Sequence, residues 1–301
     1  MKFDINEINK YSSASDTDST FIILEPLLKK RYPNIDLNNA DEVLPKLKPI
    51  QKEFGEIINK SQSPITKKIT NVDEHFFDLK PEFIIQKAYW SGKRRYAQYL
   101  VDREGNRIDK LVMMGLDIVK SNFPPFFRKF GEELLKQILF GKPKDQIDKF
   151  VLDFKNSLET VEWKKLLKPT GLKKIDFYIE SKPKDGEIFS KLKLKCPINT
   201  KSAIISNDLI RYHGLQKKYP EFTIGDKIYI AKLKSNPYHI EVVALNGYQD
   251  SPPILELVEK YIDRDGLFDS VLKNKINTIY EDIGWGQVNF NPYVNQFFNF
   301  E

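Results

Sequence analysis

The sequence predicts an α+β protein, in which an antiparallel sheet packed by helices is followed by a mainly helical region with short strands. Three observations carry this expectation. β-prone apolar runs bounded by turn residues occupy positions 20–24, 82–90 and 95–101. Two stretches with helical spacing follow, over 126–139 and 147–158. Hydrophobic content of 41% and aromatic content of 13% suit a packed globular chain rather than a disordered one.

Taken in order, the tetrapeptide Asp16-Thr17-Asp18-Ser19 falls between Tyr11-Ser12-Ser13-Ala14-Ser15 and the apolar run Thr20-Phe21-Ile22-Ile23-Leu24. That pattern predicts a hairpin of two short strands with the tetrapeptide at its tip. Ile50, Phe54, Ile57 and Ile58 repeat at helical spacing, and Pro45 and Pro49 are expected to bound the start of that helix. The strand-like runs over 82–85, 87–90 and 95–101 come next, and Asp102-Arg103-Glu104-Gly105-Asn106 is a turn between strands. Composition shifts at Ser121-Asn122-Phe123-Pro124-Pro125. Phe126, Phe127, Phe130, Leu134, Leu135, Ile138 and Leu139 then form the apolar face of one helix, closed by Gly141. Ile147, Phe150, Val151, Phe154 and Leu158 form the next, after Pro143. Lys-rich loops surround short strands such as 227–231, and a helical stretch runs from Ile254 toward Tyr280. The segment 290–301 is aromatic and asparagine-rich with no helical pattern.

A net charge of +6 and a pI near 9.0 fit a polyanionic partner, and equally a solvated lysine-rich surface. No apolar run reaches the ~18 residues of a membrane span, so no membrane partner is expected. Met1-Lys2-Phe3-Asp4 opens without an apolar signal region. Cys196 is alone, so neither a disulfide nor a zinc cluster is expected, and it reads as a small core residue. His75, His213 and His239 are scattered and read as structural.

Two readings fit Asp16-Thr17-Asp18: a surface turn whose carboxylates bond their own backbone, or a pair of hard oxygen donors aimed at one cation. A calcium loop is excluded, because its sixth and twelfth positions would be Phe21 and Leu27 rather than Gly and Glu. Further on, Trp90-Ser91-Gly92-Lys93-Arg94-Arg95-Tyr96-Ala97 puts three cations before a tyrosine at a strand start. Such a segment either tracks phosphates or is a solvated strand end.

These segments together resemble the family B DNA polymerases, of the T-even-like bacteriophage type. Asp16-Thr17-Asp18-Ser19 resembles their metal-binding hairpin, motif C. Lys93-Arg94-Arg95-Tyr96 resembles the Lys-Lys-Arg-Tyr motif that grips the primer–template minor groove, with Arg94 in place of a lysine. Met113-Met114-Gly115-Leu116-Asp117 with Lys120, Ser121 and Pro124 resembles the palm-to-thumb junction, Asp117 replacing a glutamate. Lys195-Cys196-Pro197-Ile198-Asn199-Thr200-Lys201, Gly225-Asp226-Lys227-Ile228-Tyr229-Ile230 and Asn236-Pro237 are similar to thumb segments. The terminal Asn295-Gln296-Phe297-Phe298-Asn299-Phe300-Glu301 is similar to a sliding-clamp-binding peptide.

The resemblance implies a palm half over 1–115, a thumb over 116–288 and a clamp-binding tail over 289–301. It implies Asp16 and Asp18 as catalytic metal ligands with Glu82 as a further carboxylate, holding two Mg²⁺ ions shared with a partner chain. Lys93, Arg94, Arg95, Tyr96, Lys120, Lys195 and Lys201 would bind DNA, and Phe297, Phe298 and Phe300 would anchor the clamp. Upstream of motif C, complete members carry an exonuclease, the motif A aspartate and the fingers lysine, none of which is in this sequence. The expectation is therefore one chain of a naturally split replicative polymerase, working with dNTP in the cytoplasm of an infected bacterial cell, active only with the chain that supplies those parts. The alternatives are a non-catalytic DNA-binding and clamp-tethering module, a fragment of one longer chain, or an unrelated basic nucleic-acid binder.

Overall fold

A computed structural model of the chain describes residues 12–16, 19–73, 78–120, 123–288 and 290; for 12–16 and Val119 it describes the backbone alone. The fold is α+β. The chain divides into two compact units, one formed by 1–89 with 97–112, the other by 90–96 with 113–301.

In the first unit, β1 (Ser12–Asp16) pairs antiparallel with β2 (Ser19–Ile22), with a register shift between Ser12 and Ala14. Helix α1 (Glu25–Arg31) follows, with Pro26 in its first turn, where a missing N–H costs nothing. Helix α2 spans Ala40–Thr70 and contains Pro45, Pro49 and Pro64. The sequence expectation that Pro45 and Pro49 bound its start is corrected: the start is Asn39, whose side chain accepts a hydrogen bond from Glu42 N at 3.2 Å. Both prolines lie on the exposed side, where the carbonyls they leave unpaired can reach water. An interior proline costs about 3 kcal/mol. Burial of Val43, Leu44, Leu47, Ile50 and Phe54 on the other side, at about 1.5–3 kcal/mol each, outweighs two of them.

A three-stranded antiparallel-type meander follows: β3 (Phe83–Gly92), β4 (Arg95–Arg103) and β5 (Asn106–Met114), in the order β3-β4-β5. The two strand runs that the sequence separates at Gln86 are one continuous strand. Within the first unit, Ile84 and Val101 pack with Leu28, Ile35, Val43, Leu44, Leu47 and Ile50. The β1–β2 hairpin is a separate two-stranded sheet.

In the second unit, α3 (Pro125–Leu139) and α4 (Lys144–Ser157) pack through stacked rings, with Phe130 and Phe154 at 3.8 Å and Phe130 and Phe150 at 5.0 Å. Gly141 ends α3 with φ 73°, as its sequence position suggests. A second three-stranded sheet has β9 (Lys227–Lys232) between β6 (Lys168–Gly171) and β10 (Val242–Leu245), antiparallel to both. The short β7 (Ile179–Ser181) and β8 (Lys191–Leu192) pair beside it in sequence. Helix α5 (Ile198–Tyr212) buries Ala203 and Ile204 with Ile228 and Ala244. The predicted helical stretch from Ile254 is broken into α6 (Pro252–Tyr261), α7 (Arg264–Phe268) and α8 (Asn274–Asp282), with a π turn over Asp269–Lys273. The break follows from the Asp263 cap, whose carboxylate accepts Gly266 N at 2.9 Å and starts a new helix.

Candidate functional site

The β1–β2 hairpin is where the sequence expects it. Asp16 ends β1 and stands opposite Ser19, the first residue of β2. Thr17, Asp18 and the Asp16 side chain lie outside the described residues. Glu82 is exposed and immediately precedes β3, where its carbonyl accepts Glu104 N at 2.8 Å and ties that end of the strand to the β4–β5 turn. Among the described residues no three His, Cys, Asp or Glu side chains gather into a metal-binding group.

The basic motif belongs to the second unit and is a hairpin tip. Gly92 ends β3, Arg95 begins β4, and Lys93 with Arg94 makes the turn between them, so two of the three cations sit one step ahead of the strand start the sequence suggests. All three are exposed. Arg94 holds φ 58°, a left-handed conformation that costs a side-chain-bearing residue roughly 1–2 kcal/mol. Two features support the tip. The rings of Trp90 and Tyr96 pack at 4.8 Å with a 52° tilt. Gly115, at φ 65°, brings its backbone so close that a Cβ there would stand 2.0 Å from the Arg94 carbonyl oxygen and 3.1 Å from Arg95 Cγ.

The residues after Gly115 extend this basic region. Asp117 and Lys120 form an ion pair at 2.5 Å within one turn of 3₁₀ helix. Lys120, with Lys275 and Arg95 further off, holds the Asp117 carboxyl below its usual range. Arg128 of α3 donates to the Lys120 carbonyl at 3.0 Å, fixing that backbone. Lys195 is exposed at φ 65° in the loop before α5. Lys201 is paired with Glu241 at 2.9 Å, and this bond holds the Glu241 carboxyl below its usual range. Lys201 is thus already engaged by a carboxylate, unlike a lysine kept only for a ligand. Cys196 is half-buried, and burial pushes its thiol upward. His213 meets the Tyr238 hydroxyl at 3.2 Å. His75, Phe297, Phe298 and Phe300 lie outside the described residues. The last described aromatic, Phe290, packs edge-on against Phe268 at 5.4 Å, beneath the ammonium groups of Lys155 and Lys273.

Sequence reasoning missed Lys275, which the fold brings into electrostatic reach of Asp117, Lys120 and Lys168. It stands in no motif, and only tertiary structure brings α8 to Phe123, where Lys275 Nζ lies 5.8 Å from the ring centre. Compared with known proteins, the chain matches no family model and no curated protein.

Proposed function

We propose that this chain supplies half of a DNA polymerase palm together with a duplex-gripping region, for template-directed nucleotidyl transfer. The observation that carries the reading is the hairpin with Asp16 at a strand end opposite Ser19, which leaves Asp16-Thr17-Asp18-Ser19 at the β1–β2 connection. Carboxylates there have the hard-oxygen chemistry that Mg²⁺ takes, with Glu82 as a third candidate donor. When bound, two Mg²⁺ ions would supply charge neutralisation for the attacking hydroxyl and the phosphates. The chain's own residues do the rest: Asp16 and Asp18 offer oxygens, and the exposed turn of Lys93, Arg94 and Arg95 neutralises backbone phosphates of the primer–template. The Trp90–Tyr96 pair stiffens that turn. A motif A aspartate and a fingers lysine are not among these 301 residues, so the reading requires them from elsewhere. A clamp-binding role for Phe297, Phe298 and Phe300 belongs to the same proposal.

The test is primer extension and duplex binding with the chain alone and with a polypeptide carrying the motif A aspartate and fingers lysine. The expected result is duplex binding by the chain alone and extension only with both. Extension by the chain alone would overturn the half-site. Duplex binding with no extension in any combination would instead favour a non-catalytic DNA-binding module.

A further inference from the structure

We infer that two adjoining turns of the second unit, at 175–178 and 193–196, form a stacking platform for single-stranded nucleic acid. The first is one turn of 3₁₀ helix, Asp176–Tyr178, with Phe177 at its middle; Tyr178 N donates to the Ile175 carbonyl at 3.0 Å. The second is closed by Cys196 N, which donates to the Lys193 carbonyl at 3.3 Å and leaves Leu194 and Lys195 at the tip. Lys193 N donates to the Tyr178 carbonyl at 3.0 Å, so the two turns stand side by side. Ile175, Tyr178 and Cys196 pack beneath them with Leu172 and Ile204.

Phe177 is 58% exposed and Leu194 is 91% exposed. Lys193 Nζ lies 4.4 Å from the centre of the Phe177 ring, and the Tyr178 ring stands at 90° to it, 5.0 Å away. These neighbours orient the ring while most of it faces water. Five lysines, Lys173, Lys174, Lys191, Lys193 and Lys195, accompany it, against the two carboxylates Asp176 and Glu180. Glu180 is already paired with Lys191 at 3.5 Å. Among the described residues Lys173, Lys174 and Lys195 have no ion-pair partner, and all three are exposed. The β7–β8 loop, 182–190, carries two lysines and two carboxylates and so adds no net charge. Lysines take phosphates, and an exposed ring takes the flat face of a base. A duplex keeps its base faces stacked on one another, so only an unpaired strand can offer one to Phe177.

This goes beyond the polymerase reading and does not depend on the Asp16 hairpin. Binding of a labelled oligothymidylate of about 12 nucleotides by the full chain is measured over a range of salt, beside an abasic strand of equal length. Phe177→Leu should weaken oligothymidylate binding by about tenfold and leave the abasic strand unaffected, and Phe177→Trp should keep the affinity. Lys173→Gln and Lys174→Gln should each lower the slope of log affinity against log salt by about 0.7 for both strands. Thermal unfolding of each variant checks the fold, and the two exposed lysines test the site even if Phe177→Leu does not fold. Equal loss on both strands, or loss on neither, overturns the platform. Vesicles containing phosphatidylglycerol are the rival ligand: if they bind, Leu194→Asp releases them and oligothymidylate does not bind, the face meets lipid and the platform is again overturned. Blunt duplex separates the two readings. Phe177→Leu should leave its affinity unchanged while Lys93→Gln weakens it; if duplex does not bind but oligothymidylate stacks, the polymerase reading fails and the platform stands.

Discussion

Gly115 and Arg94 meet backbone to side-chain-free backbone: a methyl group on Gly115 would stand 2.0 Å from the Arg94 carbonyl oxygen. The two residues belong to motifs that the sequence links only by resemblance, and the fold makes them one structural unit. The turn that presents three cations is braced from behind by the junction that leads into α3. Gly115→Ala should therefore destabilise the protein by roughly 2–4 kcal/mol, since it adds both a left-handed side chain and a backbone collision. Gly141→Ala is the control: it has a similar positive φ of 73° but nothing within 4 Å of the added carbon, and it should cost only about 1 kcal/mol. Thermal or denaturant unfolding of the two variants measures the difference. Equal losses would mean that the close approach contributes nothing.

On the proposed polymerase reading, Asp18→Asn should lower primer extension with the complementing polypeptide by on the order of 10³-fold or more and leave duplex affinity nearly intact. Asp16→Asn should cost less. Single-turnover extension rates and binding isotherms check both, and two harmless substitutions would return this hairpin to an ordinary surface turn.

Pro49→Ala should stabilise the protein by about 1–2 kcal/mol. The new N–H can pair with the Pro45 carbonyl, which recovers part of the roughly 3 kcal/mol cost of an interior proline, less the ~0.4–1 kcal/mol that the proline saves by restricting the unfolded chain. Because Pro49 is exposed, no packing is lost. Unfolding midpoints in denaturant give the answer, and a loss of stability would mean that the ring itself packs against something it needs.

Ser206→Ala should cost about 1–3 kcal/mol, because the buried hydroxyl both donates to Ala244 O at 3.0 Å and receives Ala244 N at 2.8 Å. The same residue explains why α5 was not legible in the sequence. Apolar periodicity found α3 and α4, whose buried faces are phenylalanine, leucine and isoleucine. In α5 the buried face includes Ser202, Ser206, Asn207 and Asp208, and each is kept there by a specific partner that periodicity cannot foresee. Asn207 exchanges two hydrogen bonds with the Phe222 backbone, and Asp208 accepts both Ser190 N and Ser190 Oγ. The hairpin at Asp16 and the cations at 93–95 were legible because turn chemistry and charge are local. The prolines of α2 misled because burial on one face overrides a local rule on the other. Lys275 was invisible because its significance lies wholly in what other elements place beside it.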